Sequence, residues 1–481
     1  MFKDSMILTL SKGIRGILVI LFTFVMARKM PEDVMGVYNA LTLVTNLLAV
    51  IFIFGFPTTL SYYYKGFDKK RKEELVGNTL LILVAISLIM AALLIPFRGL
   101  VSSIGKMDFG EYYIFIILYS VIMVAFGFLE NLYVSADKTS VLGKIYIVYI
   151  IISFSLNIAA IAIFNNLWLL LEFMIIVEAV RSVVMLVIII RMEKIKLTIN
   201  KELLIKQIKF SIPLGIVAIV QNLNMFIDNF FIMANFTERE YAIYSNAAKD
   251  IPLVGIITVS IATVLLPSLS QLYKTEKNPN KLLETWGKAC EKTAVIMFPI
   301  FWILLFFNKG YVIALLSEKY IESAPIFVIY LIKFPLYFTV FGNILVAIKK
   351  QKYTMYNMII GIVVNITLNY ILIQQIGFAG PAYSNVIVQY LLVFLQIYQI
   401  SRFLQVPKRN LLPYRTLAVI FIVPSIISAI AYLIASLFKI DVVVSLFVFG
   451  IIIYLGSLLI YSKLKLIDIR EYYGKLRGKT L

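Results

Sequence analysis

NLYVSADKTSVLGKIYIVYIIISFSLNI (131–158) lies over NILVAIKKQKYTMYNMIIGIVVNITLNY (343–370) without a gap, at an offset of 212 residues. Asn131 falls on Asn343, Lys138 on Lys350, and the pair Leu156-Asn157 on Leu368-Asn369. Only 7 of 28 positions are identical, and apolar helices match easily by chance, so the weight rests on polar landmarks kept across a loop and two helical segments. At an offset of 206, PEDVMGVYNA (31–40) lies over TEREYAIYSN (237–246), aligning Glu32 with Glu238 and Tyr38 with Tyr244. FPTTLSYYYK and LPSLSQLYK then both end on a Pro, a Ser and a Tyr-Lys exit. Duplication of this kind in an apolar chain is a pointer to alternating access.

The chain is apolar enough to make lipid its solvent. Of 481 residues 61% are apolar, against roughly half in soluble domains, and the mean hydropathy is +0.93. The apolar stretches run to about 20 residues, the length a helix needs to cross a bilayer, and alternating segments of about ten residues, the mark of a barrel, do not occur. The expected fold is therefore an all-α polytopic membrane protein with fourteen spans, over 5–27, 36–64, 77–97, 111–136, 144–164, 167–190, 207–234, 241–272, 287–307, 320–348, 353–374, 378–401, 414–437 and 442–462. The first of these carries early positive charge, but it continues for a full span, with Lys12 and Arg15 inside it and no small-residue cleavage site, so it reads as a helix and not as a signal peptide.

Both repeat offsets equal six spans. Spans 1–6 thus correspond to spans 7–12, and because six is even the halves share one orientation, related by a pseudo-twofold axis along the membrane normal. The expected division is an N-lobe over 1–206, a C-lobe over 207–410, and an added pair, spans 13 and 14, with a basic tail over 411–481.

A net charge of +19 is read as topology once it is placed on these spans. With the N-terminus inside, 31 Lys/Arg fall on the inner side and eight on the outer: Arg28, Lys29, Arg98, Lys106, Arg239, Lys309, Lys319 and Lys439. That asymmetry puts both termini in the cytoplasm, with the protein in the cell membrane. The inner charge serves anionic lipid and gives no ground for a nucleic-acid partner. The absence of histidine and the presence of one cysteine, Cys290, remove disulfides, thiolate clusters and imidazole sites. No metal site is expected, and no long extramembrane loop carries paired carboxylates for catalysis, so the chain is not read as an enzyme.

The segment QIKFSIPLGIVAIVQNLNMFIDNFFIMANFTEREYAIYSNAAKDIPLVGIITVSIATVLLPSLSQL (207–272) resembles the opening of the second lobe in polysaccharide flippases of the MOP superfamily, the Wzx-type transporters. The matching residues are Ser211, Pro213, Asp228, Tyr244, Ser245 and Lys249; MPEDVMGVYNAL repeats the turn in the first lobe with Gly36, where the second lobe has Ala242. The resemblance implies movement of an undecaprenyl-pyrophosphate-linked oligosaccharide from the cytoplasmic to the outer leaflet by alternating access, for cell-surface polysaccharide synthesis. Its implied partners are the lipid-linked glycan, membrane lipids and the glycosyltransferases or polymerase of the same pathway, with the protein itself a monomer.

Charges inside spans are costly, and such residues face a bundle interior or a water-filled cavity. Lys12 and Arg15, at i and i+3, share one face of span 1. Lys12 is shallow enough to snorkel to the inner headgroups, while Arg15, with Lys249 of span 8 and Lys333 of span 10, is a candidate for the pyrophosphate. Arg181 follows Glu178 by three positions and reads as an intrahelical ion pair. Amides at helical spacing line three spans: Asn39 and Asn46 in span 2, Gln221 and Asn224 in span 7, Asn357 and Asn365 in span 11; Asn246 precedes Lys249 by one turn. They suit sugar hydroxyls in a cavity, and equally they suit interhelical bonding. Asp228 completes the span 7 stripe and is the candidate for a coupling proton or sodium ion, with a fixed salt bridge as the structural alternative; no other cofactor is expected.

Three rival readings remain. A MATE-like exporter of cationic drugs would share the two lobes but calls for internal carboxylates more than lysines. A membrane-embedded glycan polymerase or glycosyltransferase would carry catalytic carboxylates or histidines in a large outer loop, and the outer loops here reach only about a dozen residues. A scramblase or scaffold is the third and weakest reading, because it gives the duplication no purpose.

Overall fold

A computed structural model describes residues 2–99, 107, 109–249, 251–275, 278–339 and 341–466, apart from the side chains of residues 2–10, 12, 224, 225, 252, 253, 256 and 259. Among the described residues each of the fourteen apolar stretches is built from one or two helices. In chain order the helices are α1 (Phe2–Lys29), α2 (Glu32–Ile53), α3 (Phe56–Tyr64), α4 (Lys69–Leu94), α5 (Tyr113–Phe126), α6 (Leu129–Ser135), α7 (Thr139–Ala162), α8 (Leu167–Glu193), α9 (Lys201–Asn235) and α10 (Glu238–Ala247). They continue with α11 (Pro252–Thr275), α12 (Pro279–Phe306), α13 (Asn308–Leu315), α14 (Ser323–Leu331), α15 (Phe341–Ala347), α16 (Gln351–Ile376), α17 (Gly380–Leu404), α18 (Tyr414–Leu437) and α19 (Val442–Lys463). Among the described residues, eleven helical stretches are long and apolar enough to cross a membrane; one of them, Gln351–Leu404, contains both α16 and α17.

Pro335 marks the break within span 10 in the sequence, and the structure adds others, which recur. Spans 2 and 4 are each two helices, α2–α3 and α5–α6, and spans 8 and 10 are broken likewise, into α10–α11 and α14–α15. Six spans separate each broken span from its counterpart.

The backbone repeats the duplication in finer detail. Asp137 and Lys349, at the 212-residue offset, both take left-handed conformations, with φ 57° and 60°. The next residues, Lys138 and Lys350, donate their N–H groups to Tyr133 and Leu345 at 2.8 and 2.7 Å. Lys194 and Gln405 end α8 and α17 in the same left-handed form, with φ 50° and 54°. A helix terminated by one such residue has its last carbonyls satisfied by the following N–H groups, so the two halves close corresponding turns by the same device.

Two compact units divide the chain, residues 1–245 and 246–481. This packing boundary is not the repeat boundary of 206/207, and the reason is the long helix α9. Its Gly215 lies against the α2–α3 break: a Cβ on Gly55, itself at φ +77°, would sit 2.6 Å from the Gly215 nitrogen. Beside that contact the Thr59 and Ser211 hydroxyls share a bond of 2.7 Å, and the Gln207 amide donates to the Thr79 hydroxyl at 3.0 Å. Asn78 and Asn200 exchange side chain and backbone bonds at 3.0 Å. These contacts tie span 7 to spans 2 and 3, so the first six-span repeat and the first packed unit have different ends.

Each unit has its own apolar core. In the first, Leu60, Leu75, Leu83, Phe128, Leu132, Tyr133 and Ile189 are fully buried together. In the second, Trp286 is enclosed by Leu282, Phe341, Ile344, Leu345 and Ile400, and its indole N–H donates to the Thr339 carbonyl at 2.7 Å. That carbonyl belongs to the non-helical part of span 10, and a buried carbonyl there would otherwise cost a lost hydrogen bond. Cys290 is buried and free, with no disulfide role.

Candidate functional site

Span 10 breaks at Phe334-Pro335 because proline removes an N–H and crowds the preceding turn. The break carries Lys333 on the helix-terminal residue before a 3₁₀ turn, Phe334–Phe338. The α10–α11 break in span 8 carries Lys249 in the same way, just beyond Ala247. Both lysines line one recess of about 30 Å³, walled by Phe327, Tyr330, Phe334 and Tyr337. No acidic side chain lines it among the described residues; Asp250, adjacent to Lys249, lies outside them.

Each ammonium is held by an amide. Lys249 Nζ donates to Asn246 Oδ1 at 2.7 Å, and Lys333 Nζ donates to Asn385 Oδ1 at 2.9 Å while standing 4.6 Å above the Tyr330 ring. Amides and ring faces orient a cation without neutralising it. The present volume of the recess has room for about one water molecule. A diphosphate would need it to open.

Residues 1–245 hold a different charged cluster. Glu178 and Arg181 of α8 form the expected i,i+3 ion pair. The structure adds what spacing could not show: Tyr149 donates to Glu178 at 3.0 Å, Tyr146 donates to Glu130 at 3.1 Å, and the Arg181 guanidinium lies 4.7 Å over the Tyr149 ring. Arg15 is exposed on α1 and interacts electrostatically with Tyr38, Tyr146 and Tyr149. Lys12 lies on the same helix, with its side chain outside the described residues.

The amide stripes divide between the two readings the sequence allowed. Asn357 and Gln399 exchange amide bonds of 2.9 and 2.8 Å across the α16–α17 seam, and Asn365 donates to Ser384 at 3.3 Å in the same seam. Both asparagines are buried. Asn357 and Asn365 thus make the interhelical bonds that the sequence left open beside sugar binding. Asn39, also buried, donates to the Ser245 hydroxyl at 2.9 Å, which is the residue the 206 offset aligns with it. Gly36 permits that approach, since any side chain there would run into the Glu238 carbonyl. Asn46 and Gln221 are exposed, Asn46 donating to the Thr42 carbonyl at 2.7 Å. The side chain of Asn224 lies outside the described residues, and Asp228 is buried in α9.

The profile of the family described as "Polysaccharide biosynthesis protein" matches residues 25–325. The chain belongs to this family. Its fold is shared by solved membrane transporters. A lipid II flippase, MurJ, in an inward closed conformation shares it with a TM-score of 0.77 and 17% identity, over 95% of this chain and 99% of that one. A multidrug resistance MATE family transporter of the MOP superfamily in an inward-facing conformation aligns with a TM-score of 0.62 and 13% identity, over 81% and 94%. A MOP superfamily transporter from Pyrococcus furiosus, whose binding pocket is described as reversed in polarity, gives 0.54 and 14%, over 84% and 93%. No curated protein matches the chain in sequence. Membership of the polysaccharide biosynthesis family agrees with the Wzx-type resemblance carried by Ser211, Pro213, Asp228 and Lys249.

Proposed function

We propose that this protein is a flippase that moves a polyprenyl-pyrophosphate-linked saccharide across the cytoplasmic membrane by alternating access. The observation that carries the reading is the convergence of Lys249 and Lys333, from two separate helix breaks, on one recess with no acidic side chain among its described lining residues. A diphosphate suits two converging ammonium groups, and charge-assisted bonds to it are about twice as strong as neutral ones. Arg15, exposed on α1, is the third cation assigned to the head group. The family supports the glycan, and the fold supports transport. The division into two six-span lobes, with α18 and α19 outside the repeat, supplies the moving parts.

Reconstituted into proteoliposomes, the protein is expected to transfer a fluorescent polyprenyl-pyrophosphate saccharide from the inner to the outer leaflet. Export of a cationic dye with no saccharide transfer would overturn the proposal in favour of the multidrug reading.

Asp228 is assigned to coupling. A carboxylate that holds a proton or sodium ion in one conformation and loses it in the other gives the ion the differential affinity needed to bias the cycle. Asp228→Asn keeps shape and removes the titratable charge. Its expected phenotype is a folded protein whose transfer rate no longer responds to an imposed proton or sodium gradient, and a retained gradient response would remove Asp228 from the coupling role.

A further inference from the structure

A larger recess lies elsewhere in residues 246–481, where the added helix pair meets α12 and α13. Its volume is about 320 Å³, and its polar lining includes Asn308, Lys309, Ser436 and Lys439. Gly310 closes one wall: a Cβ there would run into the Val442 carbonyl, so only glycine lets α13 lie against the start of α19. On the other side Lys439 takes a left-handed conformation, φ 50°, as the chain turns from α18 to α19, and its N–H bonds to the Ser436 carbonyl at 3.2 Å. The turn is thus built, and it projects a lysine beside Lys309.

Neither lysine side chain has an ion-pair or hydrogen-bond partner among the described residues. The nearest carboxylate in sequence, Asp441, is used elsewhere: it accepts from the N–H groups of Val443 and Val444 at 2.9 and 3.0 Å, capping α19. Beneath the lysines the floor is aromatic, with Tyr432 packed on Phe306 and Phe307 at ring separations of 5.7 and 6.0 Å. Alongside, Leu433, Leu437 and Phe438 are 60%, 79% and 75% exposed, an apolar apron continuous with the recess. Lys309 and Lys439 are two of only eight basic residues that the topology assigns to the outer side. Outer-side cations are sparse by rule, so two facing one recess call for a ligand that topology alone does not supply.

We infer that this recess binds the phosphate of an anionic membrane lipid, with Lys309 and Lys439 on the anion and the lipid chains on the Leu433–Phe438 apron. A free anion would use only the lysines; a lipid uses both the charged mouth and the apolar surface beside it. Two sources share this chemistry, an anionic phospholipid such as phosphatidylglycerol and a polyprenyl phosphate. The site stands apart from the Lys249–Lys333 recess, and binding at it does not depend on the transport reading.

The test is native mass spectrometry of the full chain, offered phosphatidylglycerol, undecaprenyl phosphate or phosphatidylcholine at equal concentration. Retained adducts of one or both anionic lipids are expected, with the preferred one identifying the source, and phosphatidylcholine is expected to wash off. A lysine near a lipid surface contributes on the order of a fivefold change in affinity, so K309Q/K439Q together should weaken retention roughly 30-fold. K309R/K439R should restore it, which separates charge from folding. With phosphatidylglycerol as the probe, the K249Q/K333Q variant should retain lipid as the unsubstituted protein does, so a failure of the transport reading would leave this result intact. Equal retention by K309Q/K439Q and the unsubstituted protein, or retention of phosphatidylcholine to the same degree as the anionic lipids, would overturn the inference.

Discussion

Arg181→Leu is expected to destabilise the protein by about 3–5 kcal/mol, the cost of removing one partner from a buried ion pair. Glu178 is 5% exposed and lies within α8, so the substitution leaves a carboxylate in apolar surroundings with only the Tyr149 hydroxyl, 3.0 Å away, to satisfy it. The ring contacts that Arg181 makes with Tyr146 and Tyr149 disappear as well. Replacing both partners has a different consequence, because a neutral pair needs no counter-charge. Glu178→Gln combined with Arg181→Leu should recover most of the loss, and the coupling between the two substitutions is the diagnostic quantity. Thermal unfolding of the four proteins in one detergent provides it. Additive effects of the two substitutions would show that the pair is not what holds α8 in the bundle.

The same cluster shows how far the sequence could be read. An i,i+3 Glu-Arg pair is local, and Glu178–Arg181 was legible from spacing alone. Tyr146, Tyr149 and Glu130 join it only because α6, α7 and α8 pack together, which no window of sequence reveals. The repeat was legible wherever polar residues punctuate the apolar runs: Asn131, Lys138 and Asn157 have counterparts, and the backbone bears out the register at Asp137 and Lys349. The helix breaks were less legible. Pro335 marks the one in span 10, but the break at Phe54-Gly55 depends on the close approach of Gly215, 160 residues away in sequence. Amides were the least legible class, since an asparagine on a helix face suits a sugar and a neighbouring glutamine equally well. Asn357 found Gln399, and only the fold could decide that.

The transport prediction turns on a contrast between lysines and those amides. Lys249 and Lys333 come from helix breaks, where the backbone no longer fixes a side chain to a packed seam, and each is oriented by an amide that leaves its charge intact. Glutamine at either position can still bond to Asn246 or Asn385 but has no charge to offer a diphosphate. A hydrogen bond to a charged group contributes about 1.5–3 kcal/mol, so each single Lys→Gln substitution should slow saccharide transfer roughly 10- to 100-fold at substrate levels below saturation. The double variant K249Q/K333Q should approach the rate of empty liposomes. Folding is not expected to suffer, because removing charge from a low-dielectric recess relieves a desolvation cost. Circular dichroism and size-exclusion profiles of the double variant should therefore match those of the unsubstituted protein while transfer is lost. A double variant that transfers lipid-linked saccharide at the unsubstituted rate would mean that the head group is held elsewhere, with Arg15 the next residue to substitute.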